Sequence, residues 1–182
     1  MNEPPDHATT HKAIAPEPWV ARFAEKIPPG GRVLDLACGR GRHTQLFLDH
    51  GHPVTALDVD LSGLAQQHLQ LEAIEADLER GPWPLDGRRF AAVVVVNYLW
   101  RPILANIVGA VEAGGVLLYA TFGRGQERFG HPTNPDFLLK PGELLESVRG
   151  ELTVHAYEYG EIPMPSGDLA VRQSIYARRE RT

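Results

Sequence analysis

The stretch that decides the fold is VLDLACGRGRHT, residues 33–44. It begins with a short apolar run, which is typical of a buried β-strand. Two glycines follow, Gly39 and Gly41, and beyond them the spacing predicts a short helix that ends before Gly51. Glycine allows a sharp backbone turn and a close approach of a ligand to the main chain. The stretch therefore predicts a strand, a glycine turn and a helix, with Asp35 inside the strand.

The same alternation continues along the chain. Further strands are predicted at residues 54–57, 71–76, 91–96, 116–122, 152–159 and 169–177. Helices are predicted at residues 19–27, 61–69, 103–111 and 142–149, besides the one at 41–50. Alternating strands and helices indicate a three-layer α/β fold. The loop at 160–168 is too short for a crossover helix, so the last strand is expected to run antiparallel in a mostly parallel sheet.

Composition narrows the class of protein. The chain has 182 residues, a formal net charge of −5 and one cysteine, Cys38. The net charge argues against a nucleic-acid partner, because such surfaces are built from Lys and Arg. A single cysteine suits a reducing compartment. No apolar run is long enough to cross a bilayer, and residues 1–12 do not resemble a signal peptide. The sequence thus predicts a soluble cytoplasmic protein without a membrane partner, as a monomer or homodimer.

The chain divides into a tail and one domain. Residues 1–18 are rich in Pro, His and Thr and have little to bury, so we expect a mobile N-terminal tail. Residues 19–182 are of the length of a single domain. Within it, the connection at 123–141 is long, and connections of this length are normally functional or disordered. We expect it to form a lid over the site where a second substrate binds.

Three acidic residues end the first three predicted strands: Asp35, Asp58 and Asp77. In open α/β sheets, ligands bind beyond the carboxyl ends of the strands. Asp58 is placed to accept both hydroxyls of a ribose, and Asp77 with Leu78 is placed to flank an adenine. Asp35 suits a ligand ammonium group, and the first amides of the following helix suit a carboxylate. The pattern predicts a pocket for an adenosine that carries an anionic tail.

A dinucleotide site is the less favoured alternative. The phosphate-binding fingerprint requires a third small residue where this chain has Thr44. In that fingerprint, an acidic residue inside the first strand, such as Asp35, has no function. The reversed last strand further disfavours the six-stranded sheet of dehydrogenases.

Four motifs follow one another along the chain: VLDLACGRGRHT (33–44), TALDVD (55–60), ADLE (76–79) and AGGVLLY (113–119). In this order they resemble the successive motifs of the class I S-adenosylmethionine-dependent methyltransferases. The resemblance covers about residues 19–178. It implies a three-layer Rossmann-like α/β sandwich whose seven-stranded sheet is mostly parallel, with an antiparallel last strand. It also implies S-adenosylmethionine as cofactor and methyl transfer to a small-molecule acceptor.

A second, weaker resemblance is to the tellurite-resistance branch of these enzymes. It rests on the small size of the chain, on the GRHT run at 41–44 and on FLLKPGELL at 137–145. The loop at 161–168 departs from that branch, because it lacks a polar His/Arg pair.

The resemblance also implies roles for individual residues. The residues implied at the methionine part of the cofactor are Asp35, Ala37, Cys38, Gly39 and Gly41. Those implied at the ribose and adenine are Asp58, Val59, Asp77 and Leu78. Asn97 and Tyr98 are implied beside the sulfonium. Two alternatives stay open for His43, which is either solvated or in contact with the methionine carboxylate. For the Cys38 side chain we expect packing rather than nucleophilic chemistry.

The acceptor side is expected after the fourth strand and in the long connection. The candidates there are Tyr98, Trp100, Arg101, Arg124 and His131, although Tyr98 and Trp100 are also suited simply to covering the sheet. No catalytic base can be assigned, and the histidines lack metal-ligand spacing, so no metal site is expected. The alternative to an enzyme is a module that binds the cofactor without turnover.

Overall fold

The computed structural model describes residues 15–64, 68–164 and 166–181. The strands are β1, Val33–Leu36; β2, Val54–Asp58; β3, Leu71–Glu75; β4, Phe90–Val96; β5, Val111–Phe122; β6, Thr153–Pro163; and β7, Leu169–Arg178. The helices are α1, Pro18–Phe23; α2, Arg42–Asp49; α3, Leu104–Gly109; and α4, Glu143–Val148. Short 3₁₀ helices lie at Ala24–Lys26, Arg101–Ile103, Gln126–Arg128 and Pro135–Phe137. None of the helices in these ranges is long and apolar enough to span a membrane.

The strands form one seven-stranded sheet in the order β3-β2-β1-β4-β5-β7-β6. Neighbouring strands from β3 to β5 are parallel, whereas β7 is antiparallel to both β5 and β6. The predicted mostly parallel sheet with a reversed last strand is therefore confirmed. The order reverses between β1 and β4, which makes their carboxyl ends the topological switch point where ligands of such sheets bind.

Helices cover both faces of the sheet, as predicted for a three-layer fold. On one face, Trp19 of α1 and Phe47 of α2 belong to the same buried cluster as Val94. On the other face, Ile107 of α3 and Leu144 of α4 are buried with Leu117. β4 is buried along its whole length, as its continuous apolar run predicted.

Two helix predictions need correction. The segment predicted as a helix over 61–69 forms turns at Ser62–Gly63 and Leu69–Gln70, and residues 65–67 lie outside the described part. Val111, predicted on a helix face, instead begins β5 and pairs with Phe90. Gly114-Gly115, predicted to end that helix, lies inside β5. A Cβ on Gly115 would come within 2.9 Å of the Phe90 carbonyl oxygen, so the two strands approach too closely there for a side chain.

The predicted tail also needs correction where it meets the domain. Residues 1–14 lie outside the described ranges, but Glu17 is only 8% exposed. Its backbone N–H donates to Nε2 of His43 at 3.1 Å. One of its carboxylate oxygens lies 3.6 Å from Nη2 of Arg172. Glu17 is therefore attached to the domain, immediately before α1.

Candidate functional site

Two residues at the switch point have left-handed backbone conformations. Ala37 follows β1 with φ 55°, and Asn97 follows β4 with φ 57°. They are the only non-glycine residues with positive φ in the part of the chain that the structure describes. Such conformations cost free energy in residues with a Cβ and concentrate at functional sites. β1 and β4 pair directly, so both residues lie at one edge of the sheet.

The two glycines of the turn after β1 have different roles. Gly39 has φ 54° and is exposed, and a Cβ built on it would meet nothing within 4 Å. Gly41 has φ 77°, but a Cβ there would lie 2.3 Å from Cδ1 of Leu64. Gly41 therefore lets Leu64 pack against the turn, whereas Gly39 leaves the main chain open to a ligand.

Asp58, at the end of β2, is connected to this turn. Its Oδ2 accepts the backbone N–H of Gly39 at 2.8 Å, and its Oδ1 accepts the N–H of Asp60 at 3.2 Å. A carboxylate has about four lone-pair sites, so these bonds orient the group and leave sites for a ligand's hydroxyls. The structure thus places Asp58, the residue predicted to bind the ribose, next to the open main chain of Gly39.

Asp35 is buried in the middle of β1, with 2% of its surface exposed. It accepts a hydrogen bond from the Thr44 hydroxyl of α2 at 2.6 Å. Burial raises its pKa to about 6, although the Thr44 hydrogen bonds and the charge of Arg42 act in the opposite direction. A buried carboxylate that is only partly compensated would gain from a cation nearby. The binding of a ligand ammonium group by Asp35 stays a prediction.

The turn after β3 contains Asp77 and Leu78, the residues predicted to flank the adenine. Oδ1 of Asp77 accepts the N–H groups of Glu79 and Arg80 at 2.9 and 3.0 Å, which fixes the turn. Leu78 is buried in the core, so only its main chain remains for a ligand. Val59, beside Asp58, has an exposed side chain that is suited to covering a base.

His43 and Cys38 are both buried. His43 accepts the Glu17 N–H on Nε2, and burial, with a smaller contribution from Arg42, lowers its pKa to about 3. Neither of the predicted alternatives for His43 describes this arrangement, because the ring is not solvated and its Nε2 is engaged by Glu17. The Cys38 thiol packs with Leu61 and Leu64, as expected, and burial raises its pKa. Cys38 is therefore a packing residue whose thiol stays protonated.

A cavity of about 530 Å³ lies beside this site. Of the predicted residues, it brings together Asn97, Tyr98 and His131. Pro132, Thr133, Asn134 and Phe137 also line it and belong to the predicted lid over 123–141, whereas sequence reasoning missed Glu79, Leu99, Thr121 and Phe122. The lining residues come from four separate segments, and only the topology shows that they meet.

The Tyr98 hydroxyl is buried at this cavity without a hydrogen-bond partner among the described residues. Burial raises the pKa of the phenol, and the carboxylates of Glu79, Asp77 and Asp58 raise it further. The hydroxyl is therefore a neutral donor without an acceptor. A buried donor of this kind is costly unless something binds it.

The connection over 123–141 is held at its base. Arg124 donates its N–H to the Leu139 carbonyl at 2.9 Å, and Leu139 donates to Phe122 at 3.0 Å. Inside the loop, Oε1 of Gln126 accepts the N–H of Val171 at 2.9 Å. Pro132 and neighbouring residues of the same loop line the cavity. This arrangement is compatible with a lid, which stays a prediction.

Three of the acceptor candidates lie elsewhere. The Arg101 guanidinium binds both carboxylate oxygens of Glu143 at 2.7 and 3.0 Å and the Leu138 carbonyl at 2.9 Å. It holds the end of the loop against α4, which corrects the expectation of an acceptor ligand. Trp100 packs against the core, and Arg124 is exposed. Neither of them lines the cavity.

Sequence reasoning also missed Arg172. It is 2% exposed in β7, and its Nη1 donates to Oδ1 of Asn97 at 2.8 Å. Its guanidinium carbon lies 4.8 Å from the centroid of the Phe122 ring. The only sequence signal is a charged residue within a strand that is otherwise buried and mostly apolar.

Known protein families and solved structures resemble this chain in sequence and in fold. The family model described as "Methyltransferase domain" matches residues 33–115, which run from β1 into β5. Over that range, which is less than half of the chain, the sequence is similar to methyltransferase domains. Among solved structures, TehB from Haemophilus influenzae superposes with a TM-score of 0.70 at 20% identity, covering 88% of this chain and 61% of TehB. That likeness shows the fold.

Two curated methyltransferases are similar in sequence. Malonyl-[acyl-carrier protein] O-methyltransferase of Serratia marcescens is 28% identical over 135 residues, which are 71% of this chain and 49% of that enzyme. Trans-aconitate 2-methyltransferase of Sinorhizobium fredii is 29% identical over 150 residues, which are 76% of this chain and 53% of that enzyme. The chain thus spans about half the length of the curated relatives it matches.

Proposed function

We propose that this chain transfers a methyl group from S-adenosylmethionine to a small-molecule acceptor. The observation that carries the proposal is the contact between Asp58 and Gly39 at the switch point, where a bound carboxylate adjoins open main chain. The match of residues 33–115 to the methyltransferase domain family supports it. When bound, the cofactor supplies an activated methyl group on its sulfonium, which the acceptor takes by in-line displacement.

The residues present fit this cofactor. Gly39 leaves room at its main chain, the half-buried carboxylate of Asp58 bonds to it, and the buried Tyr98 hydroxyl has no hydrogen-bond partner among the described residues. In the proposal, Asp58 holds the ribose hydroxyls and Asp35 faces the amino group. Asp77 and the main chain of Leu78 border the adenine, while Asn97 and Tyr98 border the sulfonium.

The acceptor is proposed to occupy the cavity of about 530 Å³ beside Asn97, since its size and mixed lining are typical of small-molecule sites. There the protein's task is to orient a nucleophile, and orientation alone lowers a barrier by several kcal/mol. His131 lines the cavity and would accept a proton from an acceptor that arrives protonated. The loop at 123–141 would exclude water as a lid.

In line with the resemblance to the tellurite-resistance branch, tellurite is a candidate acceptor beside organic molecules. A cytoplasmic location, the absence of nucleic-acid and membrane partners, and a monomeric or homodimeric state remain predictions from the sequence.

Two measurements test the proposal. Isothermal titration calorimetry should detect binding of S-adenosylmethionine and S-adenosylhomocysteine and none of NAD. Methyl-labelled cofactor, incubated with a panel of organic acids, amines, thiols and tellurite, should yield a labelled product. Binding of NAD in place of the adenosyl compounds would refute the site. Binding without turnover on any acceptor would favour the alternative of a binding module.

A further inference from the structure

The buried guanidinium of Arg172 has one occupied edge and one unoccupied edge. Nη1 donates to Asn97, but Nε and Nη2 have no hydrogen-bond partner among the residues that the structure describes. The Glu17 carboxylate lies 3.6 Å from Nη2, beyond hydrogen-bond distance. An arginine that is 2% exposed with two unmet donors is costly.

The unoccupied edge has the geometry that binds one carboxylate. Nε and the adjacent Nη2 present parallel N–H groups, which match the two oxygens of a carboxylate. Arg101 uses this same edge in the same chain, where Nε and Nη2 bind the two oxygens of Glu143 at 2.7 and 3.0 Å. Arg172 therefore lacks the kind of partner that Arg101 has.

Arg172 is also close to the proposed reaction centre. Asn97, which it binds, and Phe122, which it stacks against, both line the acceptor cavity. Arg172 does not itself line that cavity, but with Glu17 it lines a second cavity of about 140 Å³. The contacts with Asn97 and Phe122 connect its guanidinium to the acceptor cavity.

The charges around the smaller cavity balance while Glu17 is in place. Glu17 and Arg172 are both buried, and Glu158 and Arg22 are both exposed, so a carboxylate is favoured beside Arg172 only where it replaces that of Glu17. The His43 ring adds no positive charge at neutral pH. The backbone of Glu17 is held by the bonds to His43 at 3.1 Å and from the Ala21 N–H at 3.0 Å, whereas its carboxylate meets Arg172 only through the long ion pair at 3.6 Å.

We infer that the Nε–Nη2 edge of Arg172 binds a carboxylate of the acceptor, and that this carboxylate replaces Glu17 on binding. The inference rests on the proposed function and assigns its acceptor to the organic acids. Both curated relatives carry the names of carboxylic acids, malonyl and trans-aconitate, in their own activities.

The test is calorimetric titration with malonate in the presence of saturating S-adenosylhomocysteine, with neutral malonamide as the matched probe. Wild-type protein should bind malonate and not malonamide. Glu17→Gln removes the competing carboxylate and should bind malonate about tenfold more tightly. The double variant E17Q/R172M removes both buried charges and should lose malonate binding, by tenfold or more.

Two further variants complete the design. The single variant Arg172→Met leaves Glu17 buried without its cation, and E17Q leaves Arg172 without its anion until a carboxylate binds, so both are expected to lose stability, whereas the double variant removes both charges. Arg22→Met removes an exposed cation of the same cavity and should change malonate affinity by less than about threefold. Unchanged malonate affinity in E17Q, or retained affinity in the double variant, would overturn the inference.

Binding of S-adenosylhomocysteine tests the proposed function separately from the carboxylate site at Arg172. S-adenosylhomocysteine should bind wild-type protein and E17Q with similar affinity. If the wild type does not bind it, the proposed function fails. If both bind it while malonate affinity is the same in wild-type protein, E17Q and the double variant, the proposed function stands and the carboxylate site does not.

Discussion

Thr44, in the first turns of α2, donates its hydroxyl proton to the carboxylate of Asp35 in β1 at 2.6 Å. The bond ties the helix to the central strand directly beside the glycine turn. It does not fully compensate the burial of Asp35, whose pKa remains raised to about 6. The protein thus keeps a carboxylate where its ionised form is disfavoured, as expected if a ligand cation completes the site.

The stability of the protein without ligand should reflect this cost. The pKa of Asp35 is about 6 when folded, against 3.8 for an unperturbed carboxyl group. The folded state therefore holds the proton more tightly, and stability falls as pH rises from 4 through 6. Asp35→Asn should remove this dependence and raise the free energy of unfolding at pH 8 by up to about 3 kcal/mol. Urea denaturation from pH 4 to pH 8 measures the difference.

The same variant should bind S-adenosylhomocysteine more weakly, because the amide cannot offer a negative charge to the ligand's ammonium. Gain of stability with loss of affinity would identify Asp35 as a ligand-binding group. A stability difference that is the same at every pH would contradict the raised pKa.

The parts of the site that sequence analysis predicted are local. Gly39 and Asp58 were recognisable because a strand followed by a glycine or an acidic residue is a short-range sequence pattern. The pairing of β1 with β2 then brings the two residues together. Glu17 and Arg172 were missed because their partners are distant along the chain: Arg172 and Asn97 are 75 residues apart. The early start of β5 at Val111 was missed for a related reason, since the pairing partner rather than local spacing decides it.

Asp58 should dominate affinity for the adenosyl compounds. Asp58→Ala removes a carboxylate that is oriented by Gly39, and loss of charged hydrogen bonds to the ribose should weaken binding more than tenfold. Asp49→Ala is the matched control, because Asp49 is an exposed aspartate at the far end of α2 whose carboxylate accepts a hydrogen bond from Gln45 at 2.7 Å. Calorimetry should show unchanged affinity in the control. Equal affinities in both variants would exclude Asp58 from the site.

The open main chain of Gly39 gives a second matched pair. Gly39 and Gly51 both have positive φ, are exposed, and have room for a Cβ. Alanine at either position should therefore cost a similar 1–2 kcal/mol of stability, roughly the strain of a left-handed residue. Only Gly39→Ala places a methyl group at the proposed cofactor surface, so it alone should weaken S-adenosylhomocysteine binding, by about tenfold. Thermal unfolding and calorimetry on both variants measure the two effects, and an equal loss of affinity in Gly51→Ala would contradict the assignment.

Loss of the hydroxyl group should affect the stability of the protein differently at Tyr98, which lines the cavity, and at Tyr119, which bonds to Tyr98. Tyr119 is buried and donates to the Tyr98 carbonyl at 2.9 Å, so Tyr119→Phe leaves a carbonyl without its partner and should cost about 1–3 kcal/mol of stability. The Tyr98 hydroxyl has no partner among the described residues, so Tyr98→Phe should leave stability unchanged or raise it. If that hydroxyl faces the ligand, Tyr98→Phe should weaken S-adenosylhomocysteine binding about threefold or more. A loss of stability in Tyr98→Phe as large as in Tyr119→Phe would mean that the Tyr98 hydroxyl serves the fold and not the ligand.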